Sequence, residues 1–261
     1  MDPGVRSPLV DFFRRGEVAR DVRLIAARGA LAPRALEQLA LLLILKDDAD
    51  PDVARAAQDT IARLPRAALE AFLHRSDVPA EMRDYFAAEG VMPAGQPTES
   101  DEPLLETVEE GEAADAVSEA AGTSEEAAEK HISLLSVMEK MKLAMRGTRE
   151  QRAVLIRDPN RIVAAAVLSS PKLTETEVES FARMANVAEE VLRVIGSNRQ
   201  WTKNYGVVAG LVRNPKTPLS ISMNLLPRIN DRDIRMLAVD RNVPEPLRIA
   251  ARKRLSAHRA G

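Results

Sequence analysis

Residues 197–218 read SNRQWTKNYGVVAGLVRNPKTP, and the spacing of apolar side chains in this stretch decides the fold class. Trp201, Tyr205, Val208 and Leu211 or Val212 recur at i, i+4, i+7 and i+10 or i+11, the stripe of an α-helix with one buried face. Pro215 lacks an amide donor and crowds the turn before it, so the helix is expected to stop near Arg213. Thr217 and Pro218 then read as an N-cap and a first helical position, with Leu219, Met223 and Leu226 as the next apolar stripe. The unit is helix, tight turn, helix, with Trp201 and Tyr205 expected to anchor its core.

The same grammar extends in both directions. Leu134, Met138, Met141 and Met145 are spaced i, i+4, i+7 and i+11, which predicts a core stripe. Capping boxes pair Thr123 with Glu126, Thr148 with Gln151 and Thr174 with Glu177. Nearer the start, Leu36, Leu39, Leu42 and Leu43 form one stripe, Val53, Ala56, Ala57, Thr60 and Ile61 another, and Leu69, Phe72 and Leu73 a third. No window alternates with period two, so the expected class is all-α.

Internal echoes point to repeats. SSPKLT at Ser169–Thr174 lies over RNPKTP at Arg213–Pro218 with an offset of about 44 residues, which Asn186 and Asn230 share. Asp77-Val78-Pro79 with Met82-Arg83 has the spacing of Asn242-Val243-Pro244 with Leu247-Arg248. A period in the forties made of helices and turns is the signature of HEAT or armadillo-type arrays. On LIRDPNRIVAAAVLSSP, NRQWTKNYGVVAGLVRNPKTP and LAVDRNVPEPLRIAARKRL, the chain resembles bacterial HEAT-like repeat proteins of the armadillo-like α-solenoid class. The resemblance covers residues 150–256 well and 18–88 loosely. It implies an α-solenoid fold; that group has no assigned activity, so it implies no function.

Charge divides the chain in three. Residues 1–88 carry 13 basic and 14 acidic side chains, residues 89–129 carry 13 acidic and no basic ones, and residues 130–261 carry 24 basic and 12 acidic. The middle part is rich in Gly, Pro, Ser, Thr, Ala and Glu and has no aromatic, so it cannot bury enough apolar surface to offset its ordering entropy. The expected organisation is an N-terminal helical-repeat segment (1–88), a disordered acidic linker (89–129) and a basic C-terminal HEAT-like repeat domain (130–261). As a coil the linker would span roughly 35 Å.

Motifs for chemistry are missing. There is no cysteine, and His74, His131 and His258 lie far apart, which excludes thiolate sites and argues against a metal centre. No phosphate loop, dinucleotide fingerprint, HExxH or nucleophile elbow occurs. Glu189-Glu190 and Asp231 with Asp233 stand at helix starts, where carboxylates meet exposed amides. The expectation is a protein without catalytic residues, metal or cofactor. The longest apolar run, Leu39–Leu45, is too short to cross a bilayer, and the start lacks a signal pattern, so a cytoplasmic location is expected.

What remains is a choice of partner. The basic third segment makes Arg199, Lys203, Arg213, Lys216, Arg241, Arg252, Lys253 and Arg254 the candidate partner or anion-binding residues. A protein partner bound through repeat surfaces is the first expectation. The alternative is a nucleic acid held by its phosphates, although few aromatics are present to stack on single-stranded bases. The acidic segment is a third, intramolecular partner for the basic domain.

Overall fold

The computed structural model describes residues 2–32, 34–105 and 131–260, and every regular element among them is helical. None of these helices is long and apolar enough to cross a membrane. Contacts divide the chain into two units, Met1–Arg146 with Ser169–Pro171, and Gly147–Leu168 with Lys172–Gly261.

The first unit contains α1 (Pro8–Arg14), α2 (Arg20–Ala27), α3 (Ala35–Leu45), α4 (Pro51–Ala62), α5 (Arg66–Leu73), α6 (Ala80–Ala88) and α7 (Val137–Arg146). Helix α3 reads ALEQLALLLIL and has no polar face, so it must be enclosed to be stable. It packs against α1, α2 and α4, and Leu39, Leu41, Leu42, Leu43 and Leu45 are all buried. Each such leucine contributes about 1.5–3 kcal/mol relative to exposure. Helices α1 and α4 start with the side chains of Ser7 and Asp50 accepting backbone N–H groups, each followed by a proline at the first helical position. In α7, Met141 and Met145 are buried as their spacing suggests, whereas Leu134, before the helix, is exposed.

Residues 91–105 have no regular structure, yet they are held. The Ala94 and Thr98 N–H groups donate to the carbonyls of Glu70 and Ala71, and the Ala35 N–H donates to Asp101 O (3.0 Å). Gln38, on α3 and 1% exposed, grips the end of this strap. Its Nε2 donates to Gly29 O (2.9 Å) and Leu105 O (3.0 Å), while its Oε1 accepts from Leu104 N (2.8 Å) and Leu105 N (3.3 Å). Gly29 has φ +85°, and a Cβ there would sit 3.4 Å from Gln38 Nε2 and in a left-handed conformation that side chains avoid. A free coil therefore does not describe residues 91–105. Their order comes from backbone hydrogen bonds, which composition does not register. Residues 106–129, including the Thr123/Glu126 capping box, lie outside the described residues.

The second unit contains α8 (Arg149–Leu155), α9 (Arg161–Leu168), α10 (Glu175–Arg183), α11 (Glu189–Ser197), α12 (Tyr205–Arg213), α13 (Leu219–Leu225), α14 (Asp231–Leu237) and α15 (Glu245–Ala260), with 3-10 turns at Trp201–Lys203 and Leu226–Arg228. Sequence neighbours pair, α8 with α9, α10 with α11, α12 with α13 and α14 with α15. Alternate helices also touch: α8, α10 and α12 in one series, and α9, α11, α13 and α15 in the other.

The two members of a pair start differently. Helices α8, α10, α12 and α14 are capped by the side chains of Thr148, Thr174, Asn204 and Asn230, and both threonines complete their capping boxes. Helices α11 and α13 have Ala188 and Pro218 at the N-cap with no side-chain bond, and Pro244 precedes α15. The residue ahead of each is buried instead: Val187, Thr217 and Val243. A buried side chain just outside the helix fixes the entry angle without a polar cap. In the first unit, Val18, Leu64 and Val78 are likewise buried one residue ahead of the uncapped N-caps of α2, α5 and α6. Helix α9 departs from the rule, since Asn160 Oδ1 accepts from Ile162 N.

Caps of the first helices fall at Thr174, Asn204 and Asn230, spaced 30 and then 26 residues, and those of the second at Ala188, Pro218 and Pro244 with the same spacings. The 44-residue echo is therefore not the pair spacing. It lays the proline turn after α9, a second helix, over the one after α12, a first helix, because both helices end on the same turn chemistry.

The opening stretch also departs from its expectation. Trp201 belongs to a 3-10 turn, and Asn204 takes extended dihedrals before its side chain caps α12, so the aromatic stripe is interrupted. Val207, Val208, Leu211 and Val212 are buried and α12 stops at Arg213. Tyr205, its first residue, is 42% exposed and Trp201 only half-buried, so the aromatics are not the anchor. Pro218, not Thr217, is the N-cap of α13; Leu219 and Met223 are exposed while Ser222, Leu225 and Leu226 are buried.

Polar bolts cross the second unit. Arg152 of α8 meets Glu177 of α10 through two hydrogen bonds (Nε to Oε1 2.9 Å, Nη2 to Oε2 3.0 Å), both side chains nearly inaccessible. Arg152 also donates to the carbonyls of Gly147 and Lys172, and Glu177 accepts from Thr174 N. Buried Asn214 donates to the carbonyls of Ala182 and Met184 (both 2.9 Å), tying the end of α12 to that of α10.

Candidate functional site

The eight cations singled out by sequence separate into three groups. Three are committed to internal partners. Arg213 pairs with Asp233 (2.5 Å), Arg252 Nε donates to Ala238 O (3.0 Å), and Arg254 donates to Leu226 O. The last two satisfy carbonyls at helix ends, the usual position for basic side chains. Lys203 Nζ donates to Gln200 Oε1 (2.9 Å) at the surface. Arg199, Lys216, Arg241 and Lys253 are exposed, and their side chains form no hydrogen bond or ion pair among the described residues.

Asp233 is shared. It accepts from the Tyr205 hydroxyl as well as from Arg213, and Tyr205 Oη in turn accepts from Asn230 N (3.3 Å). Desolvation of the phenol, then its bond to Asp233, holds the Tyr205 pKa above its ordinary value. This cluster joins α12 to α14 and uses Asp233 and Arg213 structurally. The polar turns behave the same way. Asp158, Asn198 and Asp240 each accept the N–H two residues on, the local bond that favours Asp and Asn in turns.

Unpartnered charge and exposed apolar surface meet on the last pair. Arg232 and Arg235 of α14 are exposed and without a side-chain partner among the described residues, as are Arg241 in the turn and Lys253 on α15. Met236, Val239 and Ile249 are 52%, 73% and 56% exposed. The Arg252 bond to Ala238 sets the middle of α15 against the end of α14, and Ile249 lies one turn before Arg252 on the same side. Sequence reading found Arg241 and Lys253 but missed Arg232, Arg235 and the apolar members. The signal was an apolar residue, Ile249, placed off the buried stripe of Leu247 and Ala251.

A second cationic feature lies in the first unit, where the charge count gave no hint of one. A cleft of about 490 Å³ runs between α2 and α4. Helix α2 lines it with Arg20, Leu24 and Arg28, and α4 with Asp52, Arg55, Ala56, Asp59 and Arg63. Arg20 is bound to Asp50 and Asp52, and its hydrogen bond holds the Asp50 carboxyl below the usual range. The spacing 20, 24, 28 and 52, 55, 59, 63 was the available signal: each set is one helical stripe, charged at every position but Leu24.

Among the described residues no group of three or more His, Asp and Glu is placed to hold a metal ion. Comparison with protein-family models, with curated proteins and with solved structures finds no match to this chain.

Proposed function

We propose that the protein is a non-catalytic helical-repeat scaffold. The second unit reads as a HEAT-like array of stacked helix pairs with shorter repeats than most, and its last pair, α14 and α15, is the surface that takes a protein partner. The observation that carries this reading is the combination of exposed Met236, Val239 and Ile249 with unpartnered Arg232, Arg235, Arg241 and Lys253. Apolar side chains within a polar rim are what a protein interface needs. A phosphate-binding face would gain nothing from them. The cationic rim selects an acidic partner surface, and the acidic part of the chain itself is the intramolecular competitor for it.

A nucleic-acid reading rests on the same cations and is separable from this one. In a mobility-shift titration of the full-length protein against duplex and single-stranded DNA and RNA at two salt concentrations, the scaffold reading expects no retention at the higher salt. Retention that falls steeply with salt and is lost when Arg235, Arg241 and Lys253 are neutralised would replace it.

A further inference from the structure

The cleft between α2 and α4 has features of a built anion site that the scaffold role does not use. Arg20 is neutralised by Asp50 (2.5 Å) and Asp52 (2.8 Å). Three further guanidinium groups line the cleft without a carboxylate bound to any of them among the described residues. Arg28 and Arg55 are exposed, and their side chains have no partner there. Arg63 is held in place by its own helix end: Nε donates to Asp59 O (3.2 Å) and Nη2 to Thr60 Oγ1 (3.1 Å). Those bonds fix the guanidinium and leave its charge uncompensated.

Arginine clusters of this kind match the oxygens of a phosphate, which accept paired N–H donors from planar guanidinium groups. The cleft is larger than a bare ion requires. At about 490 Å³ it falls within the range of roughly 300–1,000 Å³ typical of organic ligands. Leu24 and Ala56 supply its apolar lining. Asp59 is the one dissonant group. It lies one turn from both Arg55 and Arg63, and no ion pair within 4.0 Å joins it to either.

We propose that this cleft binds an organic phosphate, its phosphate seated among Arg28, Arg55 and Arg63 and its body lying along Leu24 and Ala56. Arg63 is the preorganised donor, while Arg28 and Arg55 close on the anion from the two helices. Asp59 weakens the site by like-charge repulsion.

The test is calorimetric titration of the full-length protein with ATP, pyrophosphate and adenosine at low salt. ATP is expected to bind more tightly than pyrophosphate, and adenosine not to bind. Arg28→Ala and Arg55→Ala each weaken ATP roughly tenfold or more, the loss of a charge-assisted hydrogen bond. Asp59→Asn tightens it, a gain that an unfolded variant could not show. A Lys253→Ala variant, altered at a basic residue of the second unit, binds ATP as the parent does. Failure of both ATP and pyrophosphate to bind would overturn the site. So would an affinity unchanged in Arg28→Ala and Arg55→Ala, or one lost in Lys253→Ala. Equal affinities for ATP and pyrophosphate would overturn the seat assigned to the body.

Discussion

The two units hold their helices by different means. In the first, one helix that is buried almost all round, α3, is wrapped by α1, α2 and α4, and a strap is pinned to it through Gln38. The second also has an enclosed helix, α9, with Ile162–Leu168 all buried, but it does not rely on that helix alone. Short helices of seven to nine residues stand in pairs up to α14, and buried polar bolts, Arg152 with Glu177 and Asn214 with two carbonyls, cross from one pair to the next. The two units therefore tolerate change differently. A wrapped apolar helix loses stability in proportion to the volume removed, whereas a buried ion pair fails when one partner goes, because the other charge is stranded.

Glu177→Ala should be the most damaging substitution, costing about 3–5 kcal/mol because Arg152 is left buried and unpaired. Denaturant unfolding gives the magnitude, and hydrogen exchange should place the loss first in α8 and α10. Leu42→Ala should cost about 2–5 kcal/mol, with the first loss of protection in α3. If both variants lose protection first in the same helices, the contrast between the units fails.

Gln38→Ala probes the strap and should have a smaller effect on global stability. It leaves the Gly29 carbonyl and both Leu104 and Leu105 backbones without their partner, at about 1–3 kcal/mol of local cost. Limited proteolysis should then cut within 91–105 well before the helices. Resistance equal to that of the parent would show that the other strap bonds suffice.

The gentlest probe is Glu37, also on α3. Its side chain is nearly inaccessible and its Oε2 has no partner, and burial raises its pKa above the ordinary 4.5, against the opposing influence of the Ser7 hydroxyl and Arg34 and with a further push from Asp101. The folded chain therefore holds this proton more tightly than the unfolded one, and stability falls as pH rises from about 4.5 through the raised pKa. Melting curves from pH 4 to pH 8 should show Glu37→Gln gaining on the parent as pH rises. A constant difference would mean that Glu37 does not titrate in this range.

Much of the helical grammar was legible in the chain. The capping boxes at Thr148 and Thr174, the stop at Arg213 and the enclosed leucine run of α3 all follow from short-range chemistry. What escaped depends on which helix faces which. Proline turns end first and second helices alike, so the echo at 44 residues mixed the two kinds. Trp201 and Tyr205 kept helical spacing across a break that Asn204 makes with its backbone. Composition marked 89–129 as a coil, but the strap is held through main-chain groups. Of the candidate sites, Arg241 and Lys253 were readable as charge. Arg28, Arg55 and Arg63 were hidden by neighbouring acids that balance the count without pairing with them.

Under the proposed function the last helix pair takes an acidic protein partner through Met236, Val239 and Ile249. The most direct measurement is cross-linked co-purification of the full-length protein from its own host, compared with a Val239→Asp, Ile249→Asp variant that keeps the parent's melting temperature. The expected result is a partner enriched by the parent and lost by the variant. The same partners recovered by both, or recovery only of nucleic acid, would contradict it.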